Sequence, residues 1–140
     1  MRRPLLGIDH VALRCTDMKA TEAFYGEILG LPIVERAGGT SEDWEGRAWR
    51  LASFRLPSGA LLDFFEIEGA PRPVSRGALD TVQHVALAVA TRVDLERWRA
   101  RLAANGIAIP EEQDHGEGRH SLYCFDPSGN YLELTCRPAR

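Results

Sequence analysis

Ile8-Asp9-His10-Val11-Ala12-Leu13 recurs along the chain as Val82-Gln83-His84-Val85-Ala86-Leu87, and Pro57-Ser58-Gly59-Ala60-Leu61-Leu62-Asp63 recurs as Pro127-Ser128-Gly129-Asn130-Tyr131-Leu132-Glu133. The first pair is offset by 74 positions (His10 to His84) and the second by 70 (Pro57 to Pro127). Two half-chains of nearly equal length thus each carry a histidine early and a carboxylate late. That is the signature of a duplicated unit, and it repeats metal-type donors as well as apolar residues.

The apolar pattern gives each copy the same element order. Residues 7 to 14 alternate as a strand; Thr16 or Asp17 then caps a helix whose apolar face is Ala20, Ala23, Phe24 and Ile28, stopped by Gly30. Strands are expected at Leu31 to Arg36, Trp49 to Leu56 and Ala60 to Ile67. Ala70 to Gly77 contains two prolines, which lack a donor and fix their own φ, so this stretch reads as the linker between repeats. The second copy runs through a strand at Val82 to Ala90 and a helix from Val93 with Leu95, Trp98 and Leu102 on one face, stopped at Asn105-Gly106. Strands at Ile107 to Pro110, Ser121 to Phe125 and Tyr131 to Cys136 complete it, with Glu111 to His120 a mobile rim loop. The repeats span about 7–68 and 81–136 and form a single domain over 1–140.

Composition narrows the function. At 140 residues the chain can bury a real core, and 44% hydrophobic with 26% charged residues is ordinary globular usage. A net charge of −3 gives no footprint for nucleic acid, and no apolar run approaches a membrane span or a signal peptide. Lys19 is the sole lysine, against Schiff-base chemistry. Cys15, Cys124 and Cys136 are odd in number and too scattered for a structural zinc cluster, so they read as reduced packing thiols of a cytoplasmic protein. Ser58 and Ser128 lie in turns unlike a nucleophile elbow, and no Gly-rich phosphate cradle is present.

Strand parity places the donors. His10 alternates with Ala12, and His84 with Ala86 and Ala88, while the bulky residues take the opposite faces, as a strand lining a cavity requires. Glu133 shares its face with Tyr131 and Thr135, and Asp63 lies between Leu61 and Phe65. A carboxylate in an apolar strand is costly unless paired, and a metal ion removes that cost. A lone strand histidine is more often a hydrogen-bonded core residue than a ligand; four donors in register across a repeat point to metal. Glu66 is an alternative to Asp63.

These segments, with Phe24-Tyr25-Gly26-Glu27-Ile28-Leu29-Gly30-Leu31 and Asp126-Pro127-Ser128-Gly129-Asn130-Tyr131-Leu132-Glu133-Leu134, resemble the vicinal oxygen chelate superfamily. It includes glyoxalase I, methylmalonyl-CoA epimerase, fosfomycin and bleomycin resistance proteins, and extradiol dioxygenases. The resemblance implies an α+β fold of two tandem βαβββ units forming a curved, cup-shaped mixed β-sheet, commonly a homodimer. It implies a divalent metal on His10, His84 and Glu133, with Asp63 where several members supply Glu or Gln. His115 through Glu133 also resembles the extradiol signature, which puts His115 and Tyr123 beside the iron, with His120 competing for the role of His115.

The reading is a divalent-metal-dependent enzyme on a small-molecule substrate with vicinal oxygens, Fe(II) favoured and Zn, Ni, Mn or Co as other choices. Extradiol-type dioxygenation comes first, with Tyr123, His115 and Asp63 as catalytic candidates. A glyoxalase-like lyase or epimerase/isomerase using Asp63 as a base is the alternative, and a metal-independent drug-binding protein the alternative of another class. Trp44, Trp49, Arg47 and Arg119 are candidate pocket residues.

Overall fold

Four strands and one capped α-helix build each half. The computed structural model describes residues 3–71 and 78–138. The chain divides into two compact units between Pro71 and Arg72. Most of the proline-containing linker expected at 70–77 lies outside the described residues.

In the first unit β1 (His10–Cys15) leads into α1 (Met18–Glu22), which continues as a π-helical turn over Ala23–Ile28. Asp17 is the N-cap: its Oδ1 accepts the Ala20 N–H at 3.0 Å, satisfying one of the orphan donors of the first turn. β2 (Ile33–Ser41), β3 (Arg47–Arg55) and β4 (Leu61–Ile67) follow. The sheet order is β1-β4-β3-β2, with β1 parallel to β4 and the other pairs antiparallel. Leu62, Phe64 and, on β3, Ala52 and Phe54 are buried together with Phe24 and Tyr25, whose ring centroid lies 4.3 Å from that of Phe64.

The second unit repeats this plan. β5 (Val85–Val89) is followed by α2 (Arg92–Ala104), capped by Thr91 accepting from the Asp94 N–H at 3.1 Å. β6 (Glu111–Asp114), β7 (His120–Phe125) and β8 (Tyr131–Cys136) then complete the order β5-β8-β7-β6. Leu95 and Leu102 of α2 are buried, as are Leu122, Leu132 and Leu134 of the sheet. The ladder registers match: Ala12 lies opposite Asp63, and Ala86 opposite Glu133. Two four-stranded mixed sheets with βαβββ order are the expected fold class.

Several boundaries differ from the sequence expectation. β1 starts at His10 rather than residue 7, and β2 runs on to Ser41 instead of ending at Arg36. The larger correction is β6, which falls at Glu111–Asp114, inside the expected rim loop, and not at Ile107 to Pro110. All four β6 residues are exposed, and the strand is held by backbone pairing to β7 from Glu111↔Tyr123 to Asp114↔His120. An edge strand exposed on both faces has no apolar alternation to betray it.

Candidate metal and substrate site

One sheet face of the second unit collects the expected residues. Because Tyr123 is opposite Glu133 on the β7–β8 ladder and Ser121 is opposite Thr135, these four side chains share that face. Glu133 is 2% exposed. Its Oε1 accepts the Ser121 hydroxyl at 2.5 Å, its Oε2 lies 2.9 Å from His84 Nε2, and Arg119 Nη2 stands 3.6 Å from Oε1. Burial pushes the carboxyl upward. The hydrogen bonds of Ser121 and His84 and the charges of His84 and Arg119 outweigh that, so its pKa is below the ordinary carboxylate value and Glu133 is ionised.

Ser121 connects the rest. Its single proton goes to Glu133, so His115 Nε2 at 3.1 Å acts as a donor to it, while Thr135 Oγ1, 3.0 Å away, gives its own proton to the His120 carbonyl at 3.3 Å. His115 Nε2 is 4.0 Å from Glu133 Oε1, whereas His120 turns to Asp114, with Nδ1 3.8 Å from Oδ1. His115 is therefore the histidine of this loop that reaches the carboxylate. Tyr123 stacks on Tyr131 with centroids 5.4 Å apart, and both rings present edges to His84. Burial first, then the Glu133 charge, raises the Tyr123 pKa, which keeps its phenol protonated. Tyr131 donates to Glu111 Oε2 at 3.0 Å, anchoring the aromatic pair to β6.

His10 and Asp63 belong to the first unit. His10 is hydrogen-bonded to Asp9 at 2.7 Å, which with the charges of Asp63 and Asp9 raises its pKa. Asp63 Oδ1 is buried with no hydrogen-bond partner, and so is Oγ of Ser53, which faces it directly across β3–β4. Glu66, the alternative to Asp63, is engaged elsewhere: it accepts the Met18 N–H at 2.5 Å and pairs with Arg50. Among the described residues no three His, Cys, Asp or Glu side chains are grouped to hold an ion. The donors occur as the close pair His84–Glu133 and as His10 within electrostatic reach of Asp63.

The chemistry of these donors fits a divalent cation. His84 Nδ1 lies 3.0 Å from the Val82 carbonyl and 3.2 Å from that of Thr81, which places a proton on Nδ1 and directs Nε2 at the Glu133 carboxylate. Two acceptors in contact need a cation or a second proton between them, and two ligands at right angles on one ion with bonds of about 2.1 Å stand ~3 Å apart. The orphaned Asp63 oxygen is a further acceptor awaiting a partner.

Sequence reading missed Ser121, although period-two alternation from Tyr123 puts it on the site face, and it set Thr135 on the Glu133 face without giving it a role. Trp44 and Arg47 line an open cavity of ≈ 370 Å³ in the first unit with Arg14, Asp43, Glu45 and Ile67, and Trp49 lines a neighbouring one of ≈ 350 Å³. Trp44, Trp49 and Phe65 pack edge-on or tilted with centroids 5.5 to 6.1 Å apart.

Comparison with known proteins agrees with this architecture. The chain is 27% identical over 131 residues to metallothiol transferase FosB of Bacillus licheniformis, covering 93% of this chain and 75% of that protein. Among solved structures, lactoylglutathione lyase from Agrobacterium tumefaciens superposes with a TM-score of 0.70 at 26% identity, covering 96% of each chain. A glyoxylase/bleomycin resistance protein/dioxygenase domain from Frankia sp. gives 0.75 at 26% identity, covering 98% of this chain and 96% of that one. The model of the Glyoxalase/Bleomycin resistance protein/Dioxygenase superfamily matches residues 7–134, and the chain therefore belongs to that superfamily.

Proposed function

We propose that this chain is a divalent-metal-dependent enzyme acting on a small molecule through two vicinal oxygens, with His10, His84 and Glu133 as metal donors and Asp63 as a fourth. The observation that carries the reading is the His84–Glu133 pair, an imidazole Nε2 held 2.9 Å from an ionised, buried carboxylate. The reading requires the donors of both units to meet on one ion, within one chain or across two. When bound, the ion supplies Lewis-acid stabilisation of an enolate or catecholate and, as Fe(II), a place for O₂.

The chain's own residues do the remaining work. Ser121 and Arg119 hold Glu133 ionised and oriented. Tyr123 keeps its proton and can donate it to a substrate oxygen. His115, linked to Glu133 through the Ser121 hydroxyl, positions the same carboxylate. Extradiol-type ring cleavage is the finer reading supported by His115 and Tyr123 both lying beside Glu133. A lyase, isomerase or thiol-transfer reaction is the second, supported by relatives that are named a metallothiol transferase and a lactoylglutathione lyase. In that case Asp63 serves as the base. Association as a cytoplasmic homodimer is part of the proposal: Leu5, Leu6 and Ile8 are exposed apolar residues for a partner to cover, and the three cysteines form no disulfide. No helix among the described residues is long and apolar enough to cross a membrane.

Anaerobic purification followed by elemental analysis tests the core claim, and the expected result is about one divalent ion per chain. A protein with no stoichiometric metal and no affinity for added metal is instead a metal-independent binding protein. O₂ uptake by the Fe(II)-loaded enzyme with a catechol panel, slowed in Tyr123→Phe with metal retained, supports ring cleavage. Isomerisation of a thiol adduct that is lost in Asp63→Asn and kept in Tyr123→Phe supports the second reading.

A further inference from the structure

Arg119 is placed at the site without being used up by it. Its Nη2 is 3.6 Å from Glu133 Oε1, an ion-pair separation too long for a good hydrogen bond, and its Nε is buried with no hydrogen-bond partner. Glu133 is already engaged on both oxygens, by Ser121 and His84. The backbone fixes the arginine instead. Its N–H donates to the Gly116 carbonyl at 3.0 Å and its carbonyl accepts the His115 N–H at 2.9 Å, closing a turn in which Gly116, Glu117 and Gly118 all have positive φ. Glu117 at φ 53° is a non-glycine residue in the left-handed region, a local cost that this closure sustains.

We propose that Arg119 receives an oxyanionic group of the substrate, a carboxylate or a phosphate, beside the chelated oxygens. The inference rests on the proposed function for the chelation and adds the substrate's charge to it. A buried N–H with no acceptor is destabilising, and a guanidinium presents planar paired donors that match a carboxylate or phosphate. A divalent ion on Glu133 draws off the negative charge that now faces Arg119, so the occupied site gains positive charge and favours an anion. His115 stands on the same turn, its ring 4.0 Å from the same carboxylate oxygen.

The test uses the ¹H–¹⁵N correlation of the Arg119 Nε–H, identified by its absence from the Arg119→Lys spectrum. Sodium benzoate and inorganic phosphate are titrated in separate arms, with benzamide as the neutral isostere. The expected result is a saturable shift with at least one anion and none with benzamide; benzoate alone assigns a carboxylate, phosphate alone a phosphate. In Arg119→Gln the affinity for that anion, followed on backbone amides, should fall at least about tenfold, with Arg119→Lys in between. No saturable shift with either anion, equal shifts with benzamide, or an unchanged affinity in Arg119→Gln overturns the inference. Zn(II) calorimetry on the wild type and Arg119→Gln separates this from the chelation reading. Loss of zinc binding in both with anion binding intact defeats the metal assignment, whereas zinc binding in both without anion binding defeats only the role of Arg119.

Discussion

The carboxylate strands of the two units share a frame and differ in what surrounds it. Glu133 faces Tyr123 across its ladder, and Ser121, Thr135 and Tyr131 complete a polar and aromatic surround. At the matching positions Asp63 faces Ser53, and its neighbours are Leu51, Phe65 and Leu61. In the second unit the buried carboxylate is tied by a hydroxyl, an imidazole and a guanidinium. In the first, Asp63 Oδ1 and Ser53 Oγ are both buried without a partner. Duplication thus preserved the backbone register and not the hydrogen-bond shell: one unit fixes its donor in advance, and the other leaves polar atoms for a ligand to satisfy.

The contrast predicts unequal responses. Glu133→Gln should lower divalent-metal affinity by more than about a hundredfold, beyond the ~10–100-fold cost of losing a residue that only positions a ligand, and Asp63→Asn, which keeps an oxygen donor at the fourth position, by about tenfold. Equal losses by calorimetry break the proposed division of labour. Ser121→Ala should then destabilise the metal-free fold by roughly 1.5–3 kcal/mol in urea denaturation, because it strips a hydrogen bond from a buried charge. Acid stability gives a third measure. Glu133 has a folded pKa below its ordinary 4.5, so the unfolded state binds the proton more tightly. The carboxylate's stabilising contribution is therefore complete above that value and is lost as pH falls through the depressed folded pKa. Thermal melts of Glu133→Gln should show a flatter acid limb than the wild type, and superimposable limbs would contradict the assignment. The smallest effect belongs to Ser53→Ala, which removes a hydroxyl that has no partner and should change stability by less than about 1 kcal/mol, toward greater stability. A loss matching that of Ser121→Ala would erase the difference between the units.

Much of this is legible in the amino-acid sequence. The repeated His-Val-Ala-Leu and Pro-Ser-Gly runs carry the element order, and alternation sets His84 with Ala86 and Ala88 and Glu133 with Tyr131 and Thr135, because parity within a strand depends only on counting residues; that Tyr123 faces Glu133 needs the ladder register. β6 was not legible, since Glu111–Asp114 is polar throughout and is a strand only through its bonds to β7. The distinction between His115 and His120 also needed coordinates. Five residues apart in a glycine-containing loop, they diverge through the positive-φ turn at Gly116–Gly118, which no periodicity encodes. Ser121 was readable in position and unreadable in role, because a strand serine looks the same whether or not it bonds a buried carboxylate.

The parallel pairing of β1 with β4 also governs the order of events during synthesis. His10 must wait for Leu61 before its ladder can close, about 50 residues later, or ~3–10 s at roughly 5–20 residues per second. For that interval β1 is unpaired along both edges, and β8 of the later unit offers the same parallel register. Because β4 emerges first, β1 meets its own partner before the competing strand exists, and the nascent chain closes the first sheet on itself.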